Sequence, residues 1–289
     1  MGAQVVMIDR RFLLGAGGAL ALAPFFPAIA ADTKVVAQTV DLAVSATRTT
    51  TMAIWRPAVV RGIVLFSTGH GSAPEKYGQL ADLLTANGFA VLAPLHVDSR
   101  RHPDRAKFGM MNGFFERFAD LRAASAYADT QFPGVPTIAV GHSFGSLIAL
   151  CLGGALPYIG KLRNPAVKAV LCFSTPGKIP NLVQPTAYAT LDVPTLLVTG
   201  TKDVVPGWAT DPADHLYPIE SAPAGDKFAL VVTGADHDLV EQETPFARAA
   251  PAVTHFVRGY GLGDAAARRR LKAFRAAAGD RFIDREQAA

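Results

Sequence analysis

The stretch Gly141-His142-Ser143-Phe144-Gly145 decides the fold of this chain. It follows the apolar run 137–140 and precedes the apolar segment 146–150, an order that predicts a buried strand, a sharp turn and a helix. A glycine on each side of Ser143 lets backbone approach backbone in such a turn. The helix N-terminus behind the serine favours negative charge. We therefore interpret the stretch as a nucleophile elbow that presents a catalytic serine, with a purely structural turn as the alternative.

Apolar segments of strand length alternate with helical segments along the rest of the chain. Segments that are apolar on both faces and alternate with helices are typical of a parallel sheet covered on both sides. The sequence thus predicts a single α/β domain over 31–289, built on a mostly parallel sheet of about eight strands. The connection 174–194 is too short for a large helical lid, and a C-terminal helix is expected at about 264–278. The predicted strands are 35–44, 50–55, 63–66, 89–94, 137–140, 167–173, 195–198 and 228–232.

The first thirty residues have the pattern of an export signal. Arg10-Arg11 precede an apolar stretch, and Ala28-Ile29-Ala30 supplies a small-residue cleavage pattern. The paired arginines resemble a twin-arginine signal, with an ordinary signal peptide or an uncleaved anchor as alternatives. Pro24 and Pro27 interrupt the apolar run, which argues against a permanent membrane span. We expect an exported bacterial protein, periplasmic or secreted, and whether the signal is cleaved stays open.

Composition narrows the classes of partner. The chain has 289 residues, of which 50% are hydrophobic and 18% charged, so it can bury a large core. The net charge is +4, but no basic stripe is interleaved with aromatics, so no nucleic-acid partner is expected. Cys151 and Cys172 fall on apolar segments as two buried thiols, and the sequence leaves a disulfide between them open. No Cys/His cluster has metal-ligand spacing, so neither metal nor cofactor is expected. The sequence does not indicate an oligomeric state.

A serine nucleophile needs a base and an orienting carboxylate, and the chain offers both after later strands. Asp203 follows the segment 195–200, and His237 follows 228–234. Because the carboxyl ends of parallel strands meet at one edge of a sheet, Ser143, Asp203 and His237 are predicted to form a catalytic triad. Taken singly, Asp203 is also consistent with a turn aspartate and His237 with a surface or core-edge histidine. Other acids in loops are Asp98, Asp211, Asp236 and Asp238.

Acyl transfer also needs backbone donors for the oxyanion. One is predicted to be the amide of Phe144, the residue after the nucleophile. The other is expected in the loop 68–72, where we assign the amide of Ser72. His70 is interpreted as a brace for this loop, and His142 as a packed side chain. The neighbouring candidates for the second amide are Gly71 and Ala73.

These motifs resemble the α/β-hydrolase superfamily, from about Thr33 to Tyr260. The elbow, the His-Gly pair at 70–71 and the Gly-Thr-Lys-Asp loop at 200–203 are similar to secreted, lidless serine esterases. Such esterases are related to the dienelactone hydrolase and platelet-activating-factor acetylhydrolase groups. The resemblance implies a carboxylesterase-like serine hydrolase that cleaves a small ester, or a related acyl bond, through an acyl-enzyme. An acyltransferase with the same triad and a non-catalytic binding protein on this fold are the alternatives.

Departures from related groups limit what the resemblance implies. Dienelactone hydrolases proper use a cysteine where Ser143 stands, so lactone specificity is not implied. Dehalogenases and epoxide hydrolases of the superfamily use an aspartate nucleophile, so Ser143 argues against both activities. Polyester hydrolases usually carry Met after the nucleophile, whereas this chain has Phe144.

The loop from His96 to Lys107 is strongly basic and follows a predicted strand. It should therefore emerge at the same edge of the sheet as the triad. Arg100 and Arg101 would then attract an anionic part of the substrate. The alternative, which the sequence favours, is a solvated basic loop.

Overall fold

The structure is a computed structural model that describes residues 1, 2 and 35–285. Residues 35–285 belong to one compact unit. The predicted signal peptide falls almost entirely on residues 3–34, which lie outside the described part of the chain. Among the described residues, no helix has the length and apolar character needed to cross a membrane.

One sheet of nine strands forms the centre of the domain, in the order β1-β2-β4-β3-β5-β6-β7-β8-β9. The six strands from β4 to β8 in this order pair in parallel, while β1, β2 and β9 pair antiparallel at the two edges. The predicted mostly parallel sheet is confirmed, with one strand more than expected. The strands are β1 (Gln38–Ser45), β2 (Arg48–Trp55), β3 (Gly62–Ser67), β4 (Phe89–Pro94), β5 (Thr137–His142), β6 (Val167–Phe173), β7 (Thr195–Gly200), β8 (Lys227–Val232) and β9 (Arg281–Arg285).

Helices cover the sheet on both faces, as the continuous apolar strands predict. Along β3, Ile63 and Leu65 join one hydrophobic cluster, while Val64 and Phe66 join the other. The first cluster includes residues of α2, α3 and α4, and the second includes residues of α1, α5 and α6. The α-helices are α1 (Gly78–Ala86), α2 (Met110–Gln131), α3 (Phe144–Leu152), α4 (Tyr217–Ser221), α5 (Glu243–Phe256) and α6 (Ala265–Lys272).

No large lid covers the carboxyl edge of the sheet within the described residues. The connection 174–194 contains turns and bends, without an α-helix or a strand. The predicted absence of a helical lid domain is therefore confirmed for this connection. The loops that follow the parallel strands remain accessible at that edge, and they carry the site described below.

The C-terminal segment differs from its prediction. The helix expected at about 264–278 begins after Asp264, whose side chain accepts a hydrogen bond from the Ala267 amide, but it ends at Lys272. The chain then turns so that Phe274 packs edge-on against Phe282. Residues 281–285 pair with β8 as an edge strand that is not among the predicted strands. Partial burial of the two phenylalanines and pairing with β8 outweigh continued helix in the Ala-rich segment.

The two cysteines are buried free thiols. Cys151 lies in α3 and Cys172 in β6, and neither forms a disulfide. Burial raises the pKa of both thiols well above the ordinary range. Both therefore stay protonated and pack as small apolar side chains.

Candidate functional site

Ser143 stands at the turn between β5 and α3, with a backbone φ of 52°. Such a positive φ is rare for a residue with a side chain and is typical of strained functional turns. A Cβ on Gly141 would overlap the Gly145 carbonyl, and a Cβ on Gly145 would overlap the Ser67 carbonyl. Both glycines of the motif are therefore required by close backbone approach, as the sequence predicts.

The structure brings the three predicted triad residues together. His237 Nε2 lies 2.9 Å from Ser143 Oγ, and His237 Nδ1 lies 2.8 Å from Asp203 Oδ1. Thr199 donates a further hydrogen bond of 2.7 Å to Asp203 Oδ2. The arrangement places a serine hydroxyl, an imidazole and a carboxylate in one hydrogen-bonded chain, which is the geometry needed for nucleophilic catalysis.

The environment keeps Asp203 ionised. Burial alone would raise the pKa of this carboxyl, but hydrogen bonds from His215 and His237 and their charge hold it well below the usual range. The charged form can therefore orient His237 and stabilise the imidazolium that forms when Ser143 loses its proton.

The other acids considered from sequence have different partners. Asp98 pairs with Arg117 in a buried ion pair of 2.7 Å. Asp211 caps a short turn by accepting from the Ala213 amide. Asp236 accepts from Gln242 beside the site. Asp203 is thus the carboxylate that hydrogen-bonds to His237 Nδ1.

The Phe144 amide is available at the elbow, but the Ser72 amide is not. Phe144 begins α3, and its amide has no acceptor among the described residues. The Ser72 amide donates to the Gly69 carbonyl over 3.1 Å, closing a turn. The assignment of Ser72 as second oxyanion donor is therefore wrong, because its hydrogen is already used inside the loop.

The loop after β3 offers the amide of His70 beside the cavity. Gly69 N donates to Tyr77 Oη over 2.9 Å, and Gly71 N donates to Asp98 Oδ2 over 3.0 Å. Between them, the His70 amide has no acceptor among the described residues, and His70 lines the same cavity as Ser143. The His70 side chain contacts Asp98 at 3.0 Å, so the predicted bracing role agrees with the structure.

Arg117 of α2, which is not among the predicted site residues, anchors this loop. Its fully buried guanidinium donates to both carboxylate oxygens of Asp98 at 2.8 and 2.7 Å. It also donates to the carbonyls of Thr68 and Gly69 and stacks 5.0 Å from the Phe144 ring centroid. Arg117 therefore ties the loop that carries the free His70 amide to the residue after Ser143.

His142 links the same loop to His237. Tyr77 Oη lies 3.0 Å from His142 Nδ1, and His142 Nε2 lies 3.0 Å from the His237 carbonyl. The carbonyl can only accept, so Nε2 carries the proton and Nδ1 accepts from Tyr77. Ser174 donates to the same carbonyl over 3.1 Å. His142 is buried as predicted, and its contacts help to fix the backbone of His237.

Neutrality of His142 makes folding stability depend on pH. Burial, reinforced by the charge of His237, lowers the pKa of His142 to about 4. An unfolded histidine has a pKa of about 6.5. Between these two pKa values His142 is protonated in the unfolded chain but neutral in the folded chain. The free energy of unfolding therefore falls as the pH drops. We expect His142 to contribute a loss of ~3 kcal/mol across this window.

Urea unfolding at several pH values between neutrality and pH 4 measures this effect. His142→Gln should flatten the pH dependence of the free energy of unfolding relative to wild type. Burial lowers the pKa of His215, but the hydrogen bond and charge of Asp203 outweigh burial, so this pKa is raised. The contribution of His215 to stability is therefore lost only above the pKa of an unfolded histidine, outside this window. An equally steep dependence in wild type and variant would contradict this assignment.

A second Ser-His-Asp chain lies beneath the loop. Ser67 Oγ is 3.0 Å from His96 Nε2, and His96 Nδ1 is 2.8 Å from Asp120 Oδ2. All three side chains are fully buried, so no substrate can reach Ser67. Burial lowers the pKa of His96 despite the nearby carboxylates. These buried hydrogen bonds connect β3 to α2 and have a structural role.

Ser143, in contrast, lines an accessible cavity of about 420 Å³. Arg100 lines this cavity, whereas Arg101 lies outside it and pairs with Glu75 at 3.0 Å. The two arginines of the predicted substrate loop therefore have different positions. The apolar part of the wall consists of Met110, Phe144, Pro176, Ile179, Val205 and Trp208.

One cluster near the site contains residue types that could bind a metal. The ligand atoms of Asp203, His215 and His237 lie within 4.8 Å of one another. Both histidines, however, are directed at Asp203 Oδ1, at 3.1 and 2.8 Å. The cluster is therefore joined by its own hydrogen bonds, and we interpret it as part of the triad.

Known proteins resemble this chain in sequence and in fold. Residues 58–188 match the hydrolase family described as serine aminopeptidase, S33. A monoglyceride lipase homolog of monkeypox virus is 27% identical over 119 residues, and the match spans 40% of this chain and 42% of that protein.

Solved structures show the same fold at low sequence identity. A dienelactone hydrolase from Anabaena variabilis aligns with a TM-score of 0.59 and 19% identity, over 78% of this chain and 99% of that one. An esterase domain of a Rhodothermus marinus protein aligns with a TM-score of 0.56 and 17% identity, over 78% and 99%. The sheet order, the helices on both faces and these similarities show that the chain has the α/β-hydrolase fold.

Proposed function

We propose that the protein is a serine hydrolase that cleaves a small carboxylic ester through an acyl-enzyme. The observation that carries the proposal is the hydrogen-bonded chain Ser143–His237–Asp203 beside an accessible cavity. The family match supports a serine hydrolase, and the esterase and lipase names of similar proteins support an ester as the substrate. The apolar side chains around Ser143 offer a surface for an uncharged acyl or alkyl group. The same cavity is also lined by four charged side chains, those of Lys76, Arg100, Asp238 and Glu241.

Acylation follows from the positions of the groups. Ser143 Oγ attacks the ester carbonyl carbon while His237 Nε2 accepts the hydroxyl proton. The negative charge that develops on the carbonyl oxygen is stabilised by the amides of Phe144 and His70. The carbon–oxygen bond to the alcohol then breaks, and His237 returns the proton to the leaving oxygen. Asp203 keeps the imidazole oriented and offsets its transient charge.

Deacylation repeats these steps with water as the nucleophile. His237 accepts a proton from water, the hydroxide adds to the acyl carbon, and the proton is returned to Ser143 Oγ as the acid leaves. An acyltransferase would use an alcohol or amine in place of water, and no described residue favours such an acceptor over water. Adding alcohols to the assay and measuring ester products separates the two reactions.

Pre-steady-state kinetics with p-nitrophenyl esters test the proposal. An acyl-enzyme that accumulates releases a burst of nitrophenol equal to the concentration of active sites. We expect a burst with at least one acyl chain length of the series. A protein that binds the esters without releasing nitrophenol would instead be the non-catalytic binding protein.

Arg100 is proposed to favour substrates with an anionic group. Arg100→Ala should lower kcat/KM for a carboxylate-bearing ester by ~5-fold relative to its neutral counterpart, as expected for one partly solvated charge pair. Arg101→Ala provides the matched control, since Arg101 does not line the cavity and pairs with Glu75. Equal losses for both esters, or equal effects of the two variants, would contradict a substrate contact at Arg100.

A further inference from the structure

A second histidine lies behind Asp203, on the side away from His237. His215 is fully buried in the turn Pro212–Leu216 and was not among the candidate residues of the sequence. Its Nε2 atom lies 2.9 Å from the Asp203 carbonyl and 3.1 Å from Asp203 Oδ1. Its Nδ1 atom contacts the carbonyl of Thr175. Both ring nitrogens of His215 thus face oxygen atoms of the protein.

Each of these oxygens can only accept a hydrogen bond. Two are backbone carbonyls, and the third belongs to the ionised carboxylate of Asp203. A neutral imidazole has one nitrogen without a proton, and its lone pair would face an oxygen lone pair in a buried site. Such a contact is unfavourable because no water can replace the missing hydrogen bond. Both contacts are satisfied only when both nitrogens of His215 carry protons.

The surrounding charges favour this doubly protonated form. Burial lowers the pKa of His215, but the hydrogen bond and charge of Asp203 outweigh burial, and the pKa is raised overall. The other titratable group that faces His215 is His237, whose ring centroid lies 6.2 Å away. On the turn of His215 itself, Asp214 is paired with Lys178 at 2.7 Å.

We propose that His215 is a buried imidazolium that positions Asp203 and extends the activity of the triad to lower pH. The proposal rests on the serine-hydrolase function proposed above. Asp203 shares its negative charge between two imidazole rings, so it attracts a proton on His237 less strongly than an unshared carboxylate would. The positive charge of His215 also repels that proton directly. The charge of His215 therefore opposes protonation of His237, and a protonated His237 cannot act as the base.

Side-chain nitrogen–proton correlation NMR of histidine-labelled protein tests the charge of His215 without any enzyme assay. His215→Gln identifies the signals by their loss. We expect both ring nitrogens of His215 to carry protons throughout the mildly acidic to mildly alkaline range. A ring nitrogen without a proton at neutral pH would overturn the proposal even if the enzyme is fully active.

The pH profile of kcat/KM for a p-nitrophenyl ester tests the effect on the triad. His215→Gln keeps an N–H donor toward Asp203 but removes the charge. We expect the half-activity pH on the acid side to move upward by about one unit, which corresponds to ~10-fold lower activity in acid. His255→Gln, a change of the same type on α5, is the matched control and should leave the midpoint unchanged.

The outcomes separate this proposal from the proposed function. If His215 only stabilises the fold, the variant loses activity equally at every pH and the midpoint does not move, which would overturn the proposal. If the wild-type protein shows no ester hydrolysis at any pH, the proposed function fails, and with it the role of His215 in the triad. The NMR result still decides the charge of His215.

Discussion

Ser143→Ala is expected to lower kcat for ester hydrolysis by ~10⁵-fold or more, close to the residual rate that a serine hydrolase retains without its nucleophile. The alanine removes the oxygen that forms the acyl bond and leaves the cavity and the two free amides in place. His237→Gln should cost about as much, because Ser143 cannot lose its proton without the base. The double variant should be no slower than either single variant, since the residues act as a unit.

The control for this series is Ser45→Ala, at an exposed strand end of β1. It should retain wild-type kcat and KM. Circular dichroism and urea unfolding of every variant show whether lost activity reflects lost structure. A Ser143→Ala protein that is folded and has a kcat within tenfold of wild type would rule out Ser143 as the nucleophile.

Arg117→Met is expected to destabilise the protein by ~3–5 kcal/mol. The change leaves the buried Asp98 carboxylate without its cation and removes donors from the carbonyls of Thr68 and Gly69. Removing one partner of a buried pair costs more than the pair itself contributes, because the remaining charge stays desolvated. The loop that carries the His70 amide would also lose its anchor, so kcat should fall in any variant that still folds.

Urea unfolding of Arg117→Met measures the stability effect, and Arg122→Met is the matched control. Arg122 lies on the same helix but is exposed, and its substitution should change stability by no more than ~0.5 kcal/mol. Adding Asp98→Asn to Arg117→Met should restore part of the loss by removing the unpaired charge. Equal unfolding midpoints for the variants at 117 and 122 would contradict the role of the buried ion pair.

Much of this fold could be predicted because its strands are short, continuous and apolar. Each parallel strand is buried on both faces, so its sequence signal does not depend on distant contacts. The carboxyl ends of these strands meet at one edge, which allowed Asp203 and His237 to be placed near Ser143 from chain order alone. The structure brings all three into hydrogen-bonding distance.

The strand β9 could not be predicted because three of its five residues, Arg281–Arg285, are charged and the strand is only partly buried. It becomes a strand through pairing with β8, which is a tertiary contact. The prediction of Ser72 as the second oxyanion donor was wrong for a related reason. Which amide of the loop 68–72 stays free depends on hydrogen bonds to Tyr77 and Asp98 and on a turn within the loop.

Arg117 and His215 illustrate what a sequence leaves undetermined. Arg117 had one detectable signal, since it occupies the same helix face as Phe114, Phe118 and Leu121, all buried. An arginine on an apolar face indicates a buried ion pair, but its partner lies on a different segment. His215 had no such signal, because its role depends on three oxygens brought to it by two separate loops.

Labelling with a fluorophosphonate probe, followed by peptide mapping, tests the central claim most directly. The probe forms a covalent bond with a serine only when a neighbouring base activates it. The account predicts one label per wild-type protein, on the peptide that contains Ser143, and none on Ser143→Ala. A wild-type protein that is not labelled, a label that persists in Ser143→Ala, or a label on the peptide of Ser67 would contradict it.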